Sequence, residues 1–566
     1  MMQVPMPDLP VGMDSIHAAV SRRHGSTRSF RSEQGPYAHL WELLGYLPRR
    51  KPVIDHLVMA FLQQLNPVLD SVHPESFSTS YDNFWSARSG FLDMDSIDTR
   101  WLALLFIILA FGELLDCPQD CSPERQSEYE DSSQHFYWAA RKAIVIAPTF
   151  SGESPDLVRA GILISRYLIC HRRIAESWLT ESFAVRMAQA QGMHIDGENW
   201  KLGRNVLETR RRLWSNLYIL DRTTSMAIGR PYTINDRQCI QSKLSNIWLD
   251  DMVAEQAEVA QPLPLDQPTP SLYYVYQQQL AFLIGNISDE CFNLSPTSSY
   301  DRYNRVMHFE KLLQDWKETL PTYFRLENPV CALDNEYPYL PWHRLWLHAA
   351  YHFVRVILHR AYVLLPSITD QYAYSREACI TSACADLKSR LAMRNPSMAD
   401  RIRFNVSAHS LTTSALVLGV IAVREPRSQR TAAILEDLQA FCGKQKSDRW
   451  VNEFELAEIH VVELCIARVK KSLQESRAAL SISRTNSHVQ NSFVQENLDV
   501  GDREASQSVI DPIPAGGDLP SFHLDSVLEF GDDWLDTWFE ADRAFQEAGN
   551  LQSWEDLVED LGARIR

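Results

Sequence analysis

The sequence predicts an all-α fold, and three observations support that prediction. Apolar residues recur at intervals of three to four from Tyr37 to about Leu473. Pro and Gly mark the breaks between these segments, and alternating patterns typical of strands are rare. The chain has 566 residues, 45% of them hydrophobic, so it can bury one large core or several ordinary ones. We therefore expect a large multi-helix body.

Composition divides the chain into four parts. Residues 1–34 are polar and carry four arginines among serines and glycines, which predicts a flexible basic arm. Residues 35–474 carry the helical pattern and form the predicted body. Residues 475–520 are rich in Ser, Asn, Gln, Gly and Pro, which predicts a disordered linker because burial cannot offset its ordering entropy. Residues 521–566 form an acidic tail rich in aromatic residues.

Three consecutive helices are predicted in the middle of the body, each with an apolar side that other helices must cover. The first begins at Ser154, the second stops at Gly192, and the third runs from about Val206 to Gly229. The residues of the three apolar sides are Leu157, Gly161, Ile164 and Leu168; Phe183, Met187 and Ala190; and Leu213, Leu217, Leu220 and Thr224.

Two apolar runs need to be considered as membrane spans. They read WLALLFIILAFGELL from Trp101 and SALVLGVIAV from Ser414. Each is shorter than the roughly 20 residues that cross a bilayer, and Glu113 interrupts the first. We therefore expect buried core helices. The polar stretch QDCSPERQSEYEDSSQ after Pro118 is expected to be a surface loop.

Net charge and cysteine usage narrow the class of protein. The formal charge of −17 argues against a broad basic surface for nucleic acid, so any DNA contact should be local or indirect. The ten cysteines are scattered from Cys117 to Cys465, which is typical of a reducing compartment. The amino terminus lacks the charged and then apolar pattern of a signal peptide, so we do not expect secretion.

Motifs for catalysis or metal binding are not found in the sequence. It has no Gly-rich phosphate loop, no G-x-S-x-G elbow and no C-x-x-C pair, so nothing predicts an enzyme. His348 and His352 are one helical turn apart, with His343 before them and His359 after them. The H-E-x-x-H pattern is absent and no third ligand has a fixed spacing, which favours core or surface histidines over a metal hydrolase.

The stretch from Arg186 to Cys239 relates this chain to a known family. It contains GMHID from Gly192, ETRRRLW from Glu208, LDR from Leu220 and GRP from Gly229, in this order. It resembles the fungal-specific transcription factor domain, the middle homology region of zinc-cluster transcription factors that is also named after xylanolytic activators. The signature residues, which this resemblance implies are structural, are Glu208, Arg211, Arg212, Leu213, Trp214, Leu220, Asp221, Arg222, Gly229, Arg230 and Pro231.

The resemblance extends from Tyr37 to Leu473, but the family's zinc cluster is missing. That module needs six closely spaced cysteines, and no cysteine precedes Cys117, so we expect no zinc cofactor in this chain. Arg210, Arg211 and Arg212 would point in three directions on a helix, so we expect ion pairs or a solvated face rather than a phosphate contact.

The acidic tail has the pattern of an activation segment. Twelve Asp or Glu lie between Asp525 and Asp560, against the single Arg543, and large aromatic residues recur among them at helical spacing. Acidic residues keep such aromatics solvated until a coactivator groove accepts them. The alternative is that the tail docks permanently on the body. Both interpretations hold if the docked tail is the inactive state of an activation segment. The candidate activation residues are Phe530, Trp534, Trp538, Phe539, Phe545 and Trp554.

The resemblance implies a nuclear regulator of RNA polymerase II transcription. Its gene set would be a secondary-metabolite or catabolic cluster, and its helical body would mediate regulation, dimerisation or effector sensing. The expected partners are a coactivator or the transcription machinery, a second copy, or a zinc-cluster regulator, with DNA contacted only indirectly or weakly and no membrane. The alternative is a non-DNA-binding interaction protein that titrates or co-regulates a zinc-cluster transcription factor.

Overall fold

The computed structural model describes most of the body. The described residues are 36–90, 97–240, 244–249, 261–292, 299–363, 370–393, 396–407, 414–447 and 453–495. Within them the fold is all-α, with seventeen α-helices and no strand, as the sequence predicts. The basic arm of residues 1–34 and the acidic tail of residues 521–566, with its six aromatic candidates, lie outside the described residues.

The helices are numbered here in chain order. The first nine are α1 (Pro36–Gly45), α2 (Lys51–Gln64), α3 (Asn66–Leu69), α4 (Pro74–Gly90), α5 (Thr99–Asp116), α6 (Pro123–Ser151), α7 (Pro155–Cys170), α8 (Ile174–Ala190) and α9 (Arg204–Ile228). The other eight are α10 (Pro270–Cys291), α11 (Ser299–Thr319), α12 (Leu340–Val363), α13 (Ala373–Ala392), α14 (Met398–Asn405), α15 (Ser414–Arg424), α16 (Thr431–Ser447) and α17 (Glu453–Gln495). Three short 3₁₀ turns cover Gly197–Trp200, Asp236–Gln238 and Asp370–Tyr372.

Helix α5 lies inside the larger of two hydrophobic cores. It packs against α2, α6 and α7, and nearly every residue from Thr99 to Leu115 is buried. Its first turn begins at Asp98, whose carboxylate accepts a hydrogen bond from the backbone N–H of Arg100 at 2.9 Å. The apolar run from Trp101 is therefore a core helix, as predicted. No helix in the described part of the chain is both long and apolar enough to cross a membrane.

A second hydrophobic core lies toward the carboxyl end of the body. It is formed by α13, α15, α16 and α17, and it contains the other predicted core run, from Ser414. Helix α12 contributes to both cores, because Leu347 and Phe353 lie in the first while Val356 and Val363 lie in the second. Hydrophobic periodicity shows that a helix has a buried side but not which core it enters, so the sequence predicted one body without this division.

Helices α7, α8 and α9 occupy the three predicted segments, but the buried side of α8 differs from the prediction. Ala184 and Ala188 are fully buried, whereas Phe183 and Met187 are half-buried and Ala190 is exposed. The reason is a close approach of α7 to α8. A Cβ atom on Gly161 of α7 would lie 2.6 Å from the Cβ of Ala184, so this crossing admits only small residues.

Two polar segments are more helical than the sequence indicated. The stretch after Pro118 was expected to be a loop, yet α6 begins at Pro123, because the Ser122 hydroxyl caps the helix and Pro is tolerated in its first turn. Helix α17 continues to Gln495, into the segment 475–520 predicted as a linker. The part of that segment up to Gln495 contains neither Pro nor Gly, which first appear at Gly501, so a composition averaged over the whole segment concealed this helix.

Candidate functional site: the signature helix and its buried charges

Helix α9 carries most of the signature residues and is buried along most of its length. Residues from Arg212 to Met226 are buried, and the helix packs against α7, α8 and α10. It ends at Gly229, which adopts a left-handed conformation with φ of 63°, and the next N–H, of Arg230, returns to the Ser225 carbonyl at 3.0 Å. Such a reversal favours glycine because it has no Cβ. The GRP motif therefore terminates α9.

The first two of the three consecutive arginines tie the start of α9 to the loop before it. Arg210 donates to the Gln191 carbonyl at 2.8 Å and lies over the Trp200 ring, 5.3 Å from its centroid. Arg211 forms a two-pronged ion pair with Asp196 at 2.9 Å, and both side chains are largely buried. Both guanidinium groups are thus held by protein groups of one loop.

The third arginine contacts other parts of the chain. Arg212 pairs with Asp70, which follows α3, and also donates to the Ile247 carbonyl. One turn earlier, the buried carboxylate of Glu208 accepts the backbone N–H of Ser245 at 3.0 Å. The arginine-rich start of α9 therefore holds chain segments that are far apart in sequence. Both signature arginines, Arg211 and Arg212, are thus bound to acidic side chains from other parts of the chain.

Asp221 and Arg222 form a buried charge pair at the other end of α9. The Asp221 carboxylate accepts the backbone N–H groups of Thr233 at 2.7 Å and of Ile234 at 2.9 Å. Arg222, whose side chain is fully buried, pairs with Asp236 at 2.9 Å and with Asp221 at 3.3 Å. Burial raises the pKa of Asp221, and the two backbone donors and Arg222 oppose that rise. The pair fixes the loop after the GRP motif onto the helix.

The apolar signature residues lie in the larger core. Leu213, Trp214 and Leu220 are all buried, with exposed fractions of 5%, 1% and 2%. Pro231 contributes through its carbonyl, which accepts the indole N–H of Trp178 at 3.2 Å. These residues attach α9 to the surrounding helices and to the loop that follows it.

A buried acid on α8, which sequence inspection missed, faces the same helix. Glu181 is 1% exposed; it accepts the hydroxyl of Thr224 at 2.5 Å and the hydroxyl of Ser177 at 2.7 Å. Burial raises the pKa of Glu181 to about 7, although both hydroxyl groups favour the charged form. The sequence contains no local signal for this acid, because its partner Thr224 comes from another helix.

We expect this acid to make stability depend on pH. The folded-state pKa of Glu181 is about 7 against an ordinary value of 4.5, so the folded state holds the proton more tightly between these two values. The stabilising contribution is therefore complete below pH 4.5 and is lost as the pH rises through about 7. Its size is on the order of 3 kcal/mol, since each unit of pKa corresponds to about 1.4 kcal/mol.

The Glu181→Gln variant tests this expectation, because Gln stays neutral at every pH. Its melting temperature should exceed that of the natural chain at pH 8, and this advantage should disappear near pH 5. The buried histidines titrate identically in both proteins. Their contribution to the melting temperature therefore cancels when the two proteins are compared at each pH. The exposed Glu318→Gln is the matched control. An equal difference between Glu181→Gln and the natural chain at both pH values would show that Glu181 is charged throughout.

A second buried network joins α11, α12 and α13. Glu310 accepts from Arg355 at 2.9 Å, from Tyr374 at 2.8 Å and from His359 at 3.0 Å. Burial alone would raise the pKa of Glu310, but His359 and Arg355 overcome it and hold that pKa at about 2. The other ring nitrogen of His359 lies 2.9 Å from the Ser375 hydroxyl.

The other histidines of this region are buried or partly buried. His343 is fully buried and bonds to the Val68 carbonyl at 2.9 Å, and the rings of His348 and His352 lie 4.4 Å apart. Burial lowers the pKa of His343 to about 4 and that of His352 to about 2, so both are neutral at physiological pH. Among the described residues, no group of three or more His, Cys, Asp or Glu is arranged to hold a metal ion.

The comparison with protein families agrees with this geometry. Residues 58–318 match the model of the fungal specific transcription factor domain, and this range contains α9 with all of its partners described above. Residues 58–318 are therefore similar to a fungal specific transcription factor domain. The resemblance seen in the sequence is thus confirmed for this range.

Related proteins are fungal transcription factors. The chain is 25% identical over 350 residues to the Zn(2)-C6 fungal-type transcription factor mpsB of Macrophomina phaseolina (strain MS6), which covers 60% of this chain and 45% of that protein. It is 25% identical over 361 residues to the Zn(2)-C6 fungal-type transcription factor pigI of Monascus ruber. This match covers 62% of this chain and 42% of that protein. It is 22% identical over 389 residues to the Pyrrolocin cluster transcription factor fsdR of Fungal sp. (strain NRRL 50135). This match covers 66% of this chain and 48% of that protein.

The match therefore spans less than half the length of each of these relatives. The family model and the names of these relatives describe regulators of transcription.

Proposed function

We propose that this protein is a nuclear regulator of RNA polymerase II transcription. The observation that carries the proposal is the fungal specific transcription factor domain at residues 58–318, whose signature helix is held by buried ion pairs. The domain provides a rigid body for regulation, dimerisation or effector sensing, and the acidic tail recruits a coactivator or the transcription machinery. One relative is named a Pyrrolocin cluster transcription factor, which supports a secondary-metabolite gene cluster as the gene set.

A second candidate is an interaction protein that titrates or co-regulates a zinc-cluster transcription factor without binding DNA. The formal charge of −17 disfavours a broad contact with DNA phosphates, which favours a borrowed DNA contact. Such a protein would act as a heterodimer with a zinc-cluster regulator. The two candidates differ in whether the tail activates transcription by itself.

Residues 521–566, fused to a heterologous DNA-binding domain, should activate a reporter gene. Twelve carboxylates surround aromatic residues at helical spacing, and a coactivator groove gains free energy by burying the aromatics while the charges stay at its rim. Replacing Trp534 and Trp538 together by Ala should remove most of the reporter signal, because each truncation deletes a large apolar contact.

The control for this experiment is Asp533→Asn, which removes one of the twelve carboxylates and should change the signal little. A fused tail that is well expressed but silent would contradict the activator function and favour the titrating partner. If the double Trp variant instead lowered the melting temperature of the full chain, the tail would be docked on the body.

A further inference from the structure

Two cysteines lie side by side in the loop that connects α5 to α6. The Sγ atoms of Cys117 and Cys121 are 3.5 Å apart, and both side chains are thiols in this structure. Residues four positions apart in an extended chain are about 13 Å apart. Here the backbone N–H of Cys121 donates to the Pro118 carbonyl at 3.3 Å, which closes a turn. The turn therefore brings the two sulfur atoms into contact.

Both cysteines lie outside the helices that this loop connects. Cys117 directly follows α5, and Cys121 directly precedes Ser122, the residue that caps α6. The S–S bond of a disulfide is about 2.05 Å long, so the two sulfur atoms must approach each other by roughly 1.5 Å for a bond to form. Rotation of two side chains in a loop supplies this approach while both helices stay in place. The loop is therefore able to accept a disulfide.

The two thiols differ in their access to solvent. Cys117 is only 6% exposed, whereas Cys121 is half-buried. Burial raises the pKa of the Cys117 thiol to about 12, and the neighbouring Cys121 thiol adds to that rise. The thiolate is the form of cysteine that reacts with oxidants, so Cys117 is unreactive at neutral pH. An oxidant in solution therefore meets Cys121 first.

Acidic side chains lie around the pair. The negative charges of Glu130 and Asp116 both contribute to the raised pKa of Cys117, and the exposed Asp120 directly precedes Cys121. Their field disfavours the approach of an anionic oxidant such as glutathione disulfide. Hydrogen peroxide is neutral, and it is small enough to reach a half-buried sulfur atom. The surroundings of the pair therefore favour peroxide as the oxidant.

We propose that Cys117 and Cys121 are a peroxide-sensitive thiol pair that forms a reversible disulfide at the end of α5. The Cys121 thiolate attacks one oxygen of hydrogen peroxide and the O–O bond breaks. Cys121 becomes a sulfenic acid, and the departing hydroxide takes up the proton that the Cys121 thiol had released and leaves as water. The Cys117 sulfur then attacks the Cys121 sulfur, so that the S–S bond forms and the S–O bond breaks. The Cys117 proton passes to the departing oxygen, which leaves as a second water.

The reaction oxidises two thiols and reduces one peroxide. Its first step converts Cys121 into a neutral sulfenic acid, which removes the Cys121 charge as one cause of the raised pKa of Cys117. Oxidation of Cys121 thus makes Cys117 more reactive. A dithiol reductant reverses the bond, as is typical of redox-sensing disulfides in reducing compartments. This modification goes beyond regulation of transcription and does not rest on it, since it concerns only the loop between α5 and α6.

The test is oxidation of the purified, reduced full chain, measured on one peptide. Trypsin cleaves after Arg100 and Arg125, so both cysteines lie in the peptide 101–125, which contains no other cysteine. The chain is treated with a small excess of hydrogen peroxide, quenched with catalase, unfolded, alkylated with N-ethylmaleimide and digested. Mass spectrometry should show this peptide without alkyl groups and two hydrogen atoms lighter than its reduced form. Dithiothreitol added before alkylation should restore both alkyl groups, and glutathione disulfide in place of peroxide should leave the peptide doubly alkylated.

Two variants separate the roles of the two thiols. Cys117→Ser should leave Cys121 as a sulfenic acid that dimedone traps, because the second sulfur is missing. In Cys121→Ser, Cys117 should remain a thiol and be alkylated. If the buried Cys117→Ser does not fold by circular dichroism, Cys121→Ser, at the half-buried position, carries the test. Cys331→Ser removes an exposed thiol from another loop and is the matched control, which should form the disulfide like the natural chain.

Three results would overturn the proposal. They are a peptide that stays doubly alkylated after peroxide, a disulfide that joins either cysteine to a different one, and a glutathione adduct on Cys121. None of these results bears on transcription, so the proposed function stands or fails separately.

Discussion

The Leu217→Asp variant should fail to fold into a stable body. Leu217 is fully buried in the middle of α9, between the charge clusters at the two ends of that helix. An aspartate there places a carboxylate in an apolar site without a partner, at a cost of about 4 kcal/mol or more. That cost is a large part of the total stability of a typical domain. Circular dichroism and a thermal melt would report the loss.

The matched control is Val206→Asp, on the first turn of the same helix. Val206 is 47% exposed, and a negative charge is favourable at the start of a helix, so this variant should melt close to the natural chain. If Leu217→Asp melted at the natural temperature, α9 would not be the buried helix around which the signature residues are arranged.

Arg222→Ala should destabilise the protein almost as strongly. The fully buried guanidinium pairs with Asp221 and Asp236, and it stacks on Tyr232 with 3.5 Å to the ring centroid. Its removal leaves Asp221 charged and buried beside a cavity the size of the lost side chain. Removing one partner of such a buried pair lowers the free energy of unfolding by about 3–5 kcal/mol. The free energy of unfolding in urea would measure it.

Two further variants separate charge from shape at this position. Arg222→Lys keeps the positive charge but loses the planar group that stacks on Tyr232 and reaches two carboxylates, so we expect an intermediate loss of stability. Arg237→Ala removes an exposed arginine of the same loop and should have little effect. Equal stability of Arg222→Ala and Arg237→Ala would mean that the buried pair does not hold the loop in place.

The sequence predicted those features that depend on short-range patterns. The bounds of α7 and α9 followed from Ser154, Pro155 and the GRP motif, because caps and breakers act within one turn. The apolar runs from Trp101 and Ser414 were identified as core because their length excludes a membrane span. Where a polar helix had a cap but no apolar stripe, as in α6, the same rules predicted a loop.

The partners of the signature residues could not be predicted, because they come from distant parts of the chain. Asp70 pairs with Arg212 across 142 positions, and Arg355 reaches Glu310 across 45. Nothing local marks these residues as partners, since a buried Glu and a solvated Glu are identical in a sequence.

The regulation of transcription itself is tested most directly in the organism. We would delete the gene, re-express an epitope-tagged natural chain, and measure all transcripts together with chromatin occupancy of the tagged protein. A regulator should change a defined set of RNA polymerase II transcripts on deletion, with their levels restored by re-expression, and should be enriched at the promoters of that set. Transcripts that are unchanged in every growth condition in which the protein is expressed, with no promoter enrichment, would contradict the account.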